Sequence, residues 1–408
     1  MIQASTKTKL PADWEVVKFP EVVYFQEGPG LRNYQFRDEG VPFLNIQCLK
    51  ENGTIDFEKI QYLDPIEVEK KYKHFLLETG DLVVSSSGTL GRIAEVRKEY
   101  LPLMLNTSVI RMRPKNNKVD RGFLRYFILS FHYQSQIVRM ATGAAQLNYG
   151  PSHLKQMYFL LPPLEEQQKN VYILDTIQEA IGAQEKIIEK TKELKGTMMA
   201  KLFREGTRGE KLKKTEIGEI PESWEVKKLK VLVGIFDTKR VPLSDEERRN
   251  RKGQFPYCGA NGVLDYIDDY IFDGEFILLA EDGGYWGPYE ESAYLMSGKF
   301  WVNNHAHILQ AKDGVAVNSY VKEYLNKADL NGFIGGTTRG KLTQGVMETI
   351  PIPYTSVPEQ REIASILQTI DKKIEIVQKK KALYEELFRA MLEKLMTAEI
   401  RVKDVEFK

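Results

Sequence analysis

The chain has 408 residues, 42% hydrophobic and 28% charged, and its formal net charge is +1. This length allows two domains with connecting helices, and the near-neutral charge gives no sign of a strongly basic nucleic-acid binder, so any DNA contact must come from local patches. Two cysteines exclude a disulfide framework, no apolar run reaches membrane-spanning length, and the polar first ten residues do not resemble a signal peptide, which together predict a cytoplasmic protein.

The most informative feature of the sequence is an internal repeat. A Pro-x-x-Trp-Glu-Val segment at 11–16 returns at 221–226, an offset of 210 (224 − 14), and a Glu-Gln pair at 166–167 returns at 359–360, an offset of 193 (360 − 167). Each half is therefore predicted to be a globular domain followed by a long helix. The predicted boundaries are 1–162 and 211–356 for the two domains, and 163–210 and 357–408 for the two helical segments.

The first half begins with short apolar runs that are bounded by turn residues. These runs predict strands at 41–46, 81–84, 91–96 and 108–112, and helical spacing over 123–140 predicts one long helix, which gives an α+β (α/β-like) domain. Two prolines then suit the first turn of the following helix. The residues of that helix that alternate four and three apart are Asn170, Leu174, Ile177, Ile181, Gln184, Ile188, Thr191, Lys195, Met198 and Leu202.

The second half repeats this pattern. Strands are predicted at 275–279 and 306–309, and a helix at 317–325. The alternating residues of the second long helix are Ile363, Leu367, Ile370, Ile374, Val377, Lys381, Tyr384, Phe388, Met391 and Leu395. Because both series have coiled-coil spacing, we predict that the two helices stand between the domains and form an antiparallel coiled coil with pseudo-twofold symmetry. At 1.5 Å per residue, about 40 residues make a rod of about 60 Å.

Sequence motifs for catalysis are weak throughout. The only Pro-Pro pair, at 162–163, lacks the amide and aromatic residues of a DNA methyltransferase loop, and the segment 85–92 lacks the lysine of a P-loop. Glu69-Lys70-Lys71 fits a nuclease cluster, but a solvated helix face explains it better. His305 and His307 lie two apart on a predicted strand and should point the same way, with no third zinc ligand nearby in the sequence. We therefore predict a non-catalytic binding protein without a metal site.

Side chains that suit base edges and phosphates cluster in predicted turns of both domains. The candidate DNA-binding residues are Arg32, Asn33, Ser86, Ser87, Thr89, Arg92, Asn106, Thr107, Gln146, Asn148, Lys239, Arg240, Tyr257, Asn261, Tyr285, Trp286, Asn303, Asn304, His305, Arg339 and Lys341. Matched positions of the repeat carry different residues, with 106–108 opposite 303–305 and 86–88 opposite 280–282. One scaffold that carries two reading surfaces would have this pattern.

In these features the sequence resembles the specificity subunits of type I restriction–modification systems, over nearly its whole length. The resemblance rests on the repeated Trp-Glu-Val start, the segments 80–88 and 257–262, and the two domain exits at 160–167 and 350–360. It implies two target recognition domains that each grip half of a split DNA site. It also implies that the helices act as a spacer and as a docking surface for two methyltransferase subunits, which carry S-adenosylmethionine. A motor–nuclease subunit that uses ATP and Mg²⁺ would join this complex for cleavage. The exit of the second domain departs from the pattern at 354–357, and this departure concerns only where the first turn of the second long helix begins.

Two other classes of protein remain open at this stage. One is a methyltransferase or nuclease with an unrecognised active site. The other is a coiled-coil adaptor that binds proteins only.

Overall fold

The computed structural model describes residues 10–50, 52–87, 92–140, 148–336 and 340–406. The chain divides into two compact units, which are residues 1–183 with 381–408 (unit 1) and residues 184–380 (unit 2). Each unit therefore holds one domain together with one end of each long helix. Among the helices in these ranges, none combines the length and the apolar character that a membrane crossing requires.

The first domain combines two four-stranded sheets with short helices. Its strands are β1 (Glu15–Lys18), β2 (Val23–Glu27), β3 (Phe36–Arg37), β4 (Val41–Leu44), β5 (Gln61–Leu63), β6 (Leu82–Ser85), β7 (Ile93–Glu95), β8 (Met104–Leu105), β9 (Val109–Pro114) and β10 (Tyr158–Leu161). Its helices are α1 (Phe19–Val22), α2 (Pro65–Glu67), α3 (Arg121–Leu129), α4 (Phe131–Met140) and α5 (Pro151–Leu154). The sheets have the orders β2-β9-β6-β7 and β3-β5-β4-β8, and β1 pairs with β10.

The single helix predicted over 123–140 is wrong, because Ser130 divides the segment into α3 and α4. Ser130 has extended backbone angles (φ −70°, ψ 153°). Its hydroxyl donates to the carbonyl of Phe127 and accepts from the amide of Tyr133, so one side chain ends the first helix and caps the second.

The second domain is built on one six-stranded sheet of order β14-β19-β17-β18-β15-β16. The strands of unit 2 are β11 (Leu212–Thr215), β12 (Gly218–Pro221), β13 (Glu225–Lys228), β14 (Val233–Ile235), β15 (Lys252–Gly259), β16 (Gly262–Ile267), β17 (Phe272–Ala280), β18 (Ala293–Val302), β19 (Ala306–Ala311) and β20 (Pro351–Tyr354). Its short helices are α7 (Leu229–Leu232), α8 (Asp245–Asn250), α9 (Asn318–Lys327) and α10 (Gln344–Met347).

Strand pairing shows that the two domains repeat one topology. The antiparallel pair β1–β10 corresponds to β13–β20, β2–β9 corresponds to β14–β19, and β6–β9 corresponds to β17–β19. The parallel pair β4–β8 likewise corresponds to β15–β18. The predicted α+β class and the internal repeat are confirmed.

The long helices are α6 (Leu164–Glu205) and α11 (Val357–Met396), and within each unit their ends run antiparallel. In unit 1, Lys169 near the start of α6 donates to the carbonyl of Lys403, which lies beyond the end of α11. In unit 2, Lys195 pairs with Asp371 at 2.7 Å, and the amide of Thr207, further along the chain, bonds to Glu359, which lies earlier on α11. Rising numbers on one helix thus meet falling numbers on the other, as the prediction requires.

The predicted helix seam is buried at the start of each helix. At the ends, Leu202 and Leu395 of the seam are buried, but Met199 and Leu392 are buried in place of the predicted Met198 and Met391. Leu174 and Leu367, near the two helix starts, are fully buried. Near the ends, the buried residues are Met199, Leu202 and Phe203 on α6 and Leu392, Leu395 and Met396 on α11, which match at an offset of 193 (392 − 199). Because these ends pack into the domain cores as well as against a helix, their apolar stripe is wider than a two-helix seam.

The polar seam residue Lys195 packs against the second domain through charge. Its ammonium pairs with Asp371 and also lies 3.1 Å from Glu323 of α9, whose side chain is fully buried. Burial alone would lower the pKa of Lys195, but the two carboxylates raise it above the ordinary lysine value. At the matched place in unit 1, Tyr126 packs its ring on Phe388, so the two repeats use different chemistry for one contact.

The repeated Trp…Glu-Gln motif joins each domain to its helix start. The indole nitrogens of Trp14 and Trp224 donate to Glu166 and Glu359, each at 3.1 Å. These two carboxylates also face matched arginines, because Arg401 binds Glu166 within unit 1 and Arg208 lies 3.7 Å from Glu359 within unit 2.

The following glutamines complete the joint. The side-chain oxygen of Gln167 accepts from the amide of Asp120, and its nitrogen donates to the carbonyls of Lys118 and Pro162. Gln360 makes the three equivalent bonds, to Val317, Val315 and Thr355. The motif is therefore repeated because it satisfies the same backbone groups in both halves.

We expect Glu359→Gln to lower the free energy of unfolding by about 1.5–3 kcal/mol near neutral pH, because it removes hydrogen bonds to a buried charged acceptor. Burial raises the pKa of Glu359, but bonds from Thr355, Thr207 and Trp224 outweigh it, so the pKa lies below the ordinary 4.5. A depressed pKa stabilises the fold above pH 4.5 and loses that contribution as pH falls through the folded value. The difference between wild type and variant should therefore shrink on acidification.

Urea unfolding followed by circular dichroism from pH 7 to pH 3 would measure this difference. The matched control is Glu375→Gln, because that carboxylate is exposed and pairs with Lys379 on its own helix. A pH-independent gap, or an equal loss in the control, would contradict the role given to the buried carboxylate.

Candidate nucleic-acid interface

In the first domain, three chain segments are held together by backbone contacts at the end of β6. The amide of Ser86 donates to the carbonyl of Ser108 at 3.0 Å, and the amide of Tyr149 donates to the carbonyl of Ser86 at 3.0 Å. An isolated bridge joins Ser87 to Asn148. This first loop cluster therefore brings together residues 86–87, 106–108 and 148–149, which contain five of the predicted site residues.

The second domain has the same arrangement at the end of β17. The amide of Glu281 donates to the carbonyl of His305 at 2.9 Å, and the amide of Leu342 donates to the carbonyl of Glu281 at 2.8 Å. A bridge joins Asp282 to Lys341. We name residues 281–286, 303–305 and 341–342 the second loop cluster.

The strand pairing corrects the predicted alignment of the two clusters by one residue. Ser85 pairs with Val109 and Ala280 pairs with Ala306, so Ser85, rather than Ser86, lies opposite Ala280. The alignment of 106–108 with 303–305 agrees with the same pairs. A register shift of one residue moves a side chain to the opposite face of a strand, so this correction decides which side chains of the two domains correspond.

With this register, the matched positions carry different chemistry. Ser86 corresponds to Glu281, Ser87 to Asp282, Ser108 to His305 and Asn148 to Lys341. One residue is shared, because Asn106 corresponds to Asn303. The amide oxygen of each accepts a nearby backbone N–H, from Thr107 at 2.7 Å and from His305 at 2.8 Å. A common asparagine thus fixes the turn while its neighbours vary.

Comparison with known proteins identifies the family. The model of the type I restriction modification DNA specificity domain matches this chain twice, at residues 11–193 and 221–386. The chain belongs to the type I restriction–modification specificity subunit family. The two matches make its domains the two target recognition domains of such a subunit, a class of protein that specifies DNA rather than catalysing a reaction.

Relatives of the subunit match along its full length. A protein of Methanocaldococcus jannaschii named as the MjaX type I restriction enzyme specificity subunit is 30% identical, over 97% of this chain and 95% of its own length. The MjaVIII specificity subunit of the same organism is 26% identical over 98% and 96%. The S subunit from M. genitalium superposes with a TM-score of 0.57 at 16% identity, covering 95% of this chain and 98% of its own, which supports the fold.

Charged side chains in the second target recognition domain form a compact network. The ammonium of Lys341 lies 2.9 Å from Glu281, which also binds the guanidinium of Arg240. Burial raises the pKa of Glu281, but the bonds from these two cations outweigh it and hold the pKa below the ordinary value. His305 binds Asp282 at 2.7 Å through Nδ1, so the carboxylate fixes the orientation of the ring.

The predicted site residues differ in their exposure. Tyr257 is buried and its hydroxyl bonds to the backbone of Leu243, so it belongs to the domain core. Asn303 and Ser86 are buried turn residues. Trp286 is half-buried and its indole donates to the carbonyl of Ala280. The predicted residues with exposed side chains are Arg32, Asn33, Thr107, Asn148, Lys239, Asn261, Tyr285, Asn304 and Lys341.

The remaining predicted residues lie beside the two loop clusters, elsewhere in the domains, or outside the described residues. Asn261 donates to the carbonyl of Gly283 at 2.9 Å, which ties the β15–β16 turn to the second cluster. Arg92 lies directly before β7, and its backbone amide donates to the hydroxyl of Ser85. Lys239 lies over the ring of Phe236. Arg32 and Asn33 begin a 3₁₀ turn soon after Gly30, which approaches Thr107. Three predicted residues lie outside the described residues: Thr89, Gln146 and Arg339.

The two histidines of the second domain face different carboxylates, which corrects the expectation that they point the same way. His305 precedes β19 and is partly exposed, whereas His307 lies on β19, is buried, and binds Asp237. Asp237, Glu281 and His307 can bring one ligand atom each to within 4.8 Å of one another, so two carboxylates do lie near one of the histidines in space. Because Arg240 and Lys341 already neutralise Glu281, an ion pair network explains this cluster better than a metal site.

The acidic members of the second loop cluster were not among the residues predicted from the sequence. Glu281 and Asp282 follow a strand in place of the serines of the first domain, and this alignment would have pointed to them with the correct register. Asp237 had no comparable signal, because it meets His307 across 70 residues of chain.

Proposed function

We propose that the chain reads a bipartite, asymmetric DNA site, with each loop cluster contacting one half-site. The observation that supports this proposal is that one backbone arrangement carries two different sets of side chains. Two readers of different sequences on one scaffold would differ in this way. Asparagine suits adenine, arginine suits guanine, and exposed lysine suits phosphate, so the candidate residues have the chemistry of direct readout.

The proposed partners are double-stranded DNA, two methyltransferase (modification) subunits and the restriction (motor–nuclease) subunits. In this scheme the modification subunits carry S-adenosylmethionine and the restriction subunits use ATP and Mg²⁺, while the chain itself binds no cofactor. A structure titled for complex assembly and conformational transition of the type I system superposes on the chain with a TM-score of 0.60 at 17% identity, covering 96% of this chain and 100% of its own. That likeness supports the fold on which the assembly is proposed.

Methylation sequencing of DNA from cells that express this chain with its modification subunits tests the proposal. The expected result is one bipartite motif with a non-specific gap of fixed length. A complex that assembles but neither binds nor methylates DNA would favour a protein-binding adaptor. Methyl transfer by the purified chain alone would favour an enzyme.

Lys341 provides a narrower test of the second cluster. Its ammonium is half exposed beside Glu281, so we expect it to contact a DNA phosphate. Lys341→Gln should then weaken binding to all sequences alike, and the slope of log K against log salt should fall by about 0.9. Fluorescence anisotropy from 50 to 300 mM salt would measure the slope.

Lys379→Gln is the matched control, since this lysine is exposed on α11 and pairs with Glu375. Loss of binding confined to one base-pair position would assign Lys341 to a base instead of a phosphate. An unchanged affinity and slope would remove it from the DNA interface.

A further inference from the structure

A buried histidine lies directly beneath the second loop cluster. The side chain of His307 is 1% exposed, and both ring nitrogens are hydrogen-bonded. Nε2 lies 2.7 Å from the carbonyl oxygen of Leu342, and Nδ1 lies 2.5 Å from a carboxylate oxygen of Asp237. The other oxygen of Asp237 accepts from the amide of Ile308 at 2.8 Å.

These contacts fix the number of protons at the site. A carbonyl oxygen only accepts, so Nε2 of His307 must carry a hydrogen. The short contact from Nδ1 to the Asp237 carboxylate requires a second hydrogen between them. The His307 and Asp237 side chains therefore hold two hydrogens between them and form a buried, hydrogen-bonded pair. Arg240 and Glu281 lie next to the pair and bind each other, and Lys341 in turn binds Glu281.

The bond to Leu342 holds the segment that carries Lys341. The amide of Leu342 donates to Glu281, and its carbonyl accepts from His307, so the residue is fixed on both sides. The amide and carbonyl of Lys341 both bond to Gly335, so Lys341 is held by backbone bonds as well. Through its bond to Leu342, His307 joins these residues to β19.

The matched position of the first domain has an apolar residue in place of the histidine. Pairing of β6 with β9 and of β17 with β19 makes Ile110 the counterpart of His307, and Ile110 lies in an apolar core. The counterpart of Leu342 is Tyr149, whose hydroxyl meets Tyr133. Among the described residues, the polar anchor is therefore found in the second repeat and not at the matched position of the first, so its removal should affect one half-site.

We propose that His307 is a positioning residue for the half-site that the second domain reads, and that it acts by anchoring the Lys341–Leu342 segment through the bonded pair with Asp237. This inference rests on the proposed function. It assigns His307 no contact with DNA, because the ring is buried.

The test uses the complete complex with its modification subunits and two variants. His307→Ile copies the first domain and leaves the Leu342 carbonyl without its donor. Asp237→Asn is the matched conservative variant: the amide nitrogen donates to a neutral Nδ1, the amide oxygen still accepts from Ile308, and Nε2 still donates to Leu342. The hydrogen bonds of the pair therefore survive and the summed charge of the two side chains is unchanged, while Arg240, 3.6 Å away, loses a carboxylate partner.

Methylation rates on DNA with single mismatches in each half-site give the discrimination at both half-sites in one preparation. We expect His307→Ile to reduce discrimination about tenfold at one half-site, which corresponds to about 1.4 kcal/mol for a lost buried hydrogen bond, and to leave the other within twofold. Asp237→Asn should stay within about threefold at both. Hydrogen exchange of the Leu342 amide should quicken in His307→Ile and remain slow in Asp237→Asn.

Equal loss at both half-sites, unchanged discrimination in His307→Ile, or an equally large defect in Asp237→Asn would overturn the inference. If His307→Ile does not fold, Asp237→Ala takes its place, because it removes the acceptor and keeps the ring. A wild-type complex without any bipartite specificity would instead refute the proposed function, so the two failures can be told apart.

Discussion

Replacing residues 14–160 with the matching domain of a relative is expected to change one half of the recognised sequence and leave the other half intact. Each mismatched base pair typically costs about 1–3 kcal/mol, so a half-site that differs at three positions should lose the original specificity by roughly 100-fold or more. This is the largest effect expected of any change to the chain. Methylation sequencing of the chimeric complex measures it directly.

The structure shows what such an exchange must preserve. The incoming domain has to supply a tryptophan for Glu166, together with the carbonyl and amide that Gln167 binds at Lys118 and Asp120. A domain from a relative that keeps these groups can dock on the start of α6 without new buried unpaired atoms. One that lacks them would fail by misfolding, which circular dichroism would separate from a change of specificity.

The reciprocal exchange is the control. Replacing residues 224–353 should alter the other half of the motif, through the second loop cluster, while the first half stays as in wild type. A chimera in which both half-sequences change, or in which neither changes, would contradict the assignment of one half-site to each domain.

The parts of the fold that sequence predicted are those governed by local spacing. The helix seams follow a heptad period, and Trp14 and Trp224 stand out because the same joint is built twice. The shift at Met199 and Leu392 could not be predicted, because it depends on domain residues that pack on the helix ends. Strand β18 was missed since its apolar run is interrupted at Gly298, which has φ +83°.

The sequence indicated the residue types of the candidate site, but it indicated only part of where these residues lie in the fold. Turns rich in Asn, Arg and Lys indicated the segments of the candidate site, but the exposure of Asn304 and the burial of Tyr257 depend on tertiary packing. The one-residue error at Ser85 came from aligning loops of unequal length, where no periodic signal fixes the register. The His307–Asp237 pair could not be predicted either, because its two members are 70 residues apart and no periodic pattern links them.

Introducing proline at Ile370 is expected to have the second-largest effect, because it breaks α11 where it packs on α6 within unit 2. Ile370 packs against the core of that unit, one residue before Asp371, which binds Lys195. Proline in a helix interior removes one backbone hydrogen bond and clashes with the preceding turn, at a cost of about 3 kcal/mol or more. Urea unfolding should show a loss of at least this size, with faster amide exchange in residues 363–377.

The chain itself supplies the matched control for this change. Ser356 stands at the position where the first helix has Pro163, and the amides of Gln360 and Gln167 bond to the carbonyls of these two residues in the same way. Ser356→Pro therefore places the same ring in a helix start that already accommodates it, and should leave stability nearly unchanged. Ile370→Ala keeps the helix and removes only packing, so it should fall between the two. If Ile370→Pro cost no more than Ile370→Ala, the continuous helix would not be what stabilises unit 2, and the antiparallel packing of the helix ends would have to be reconsidered.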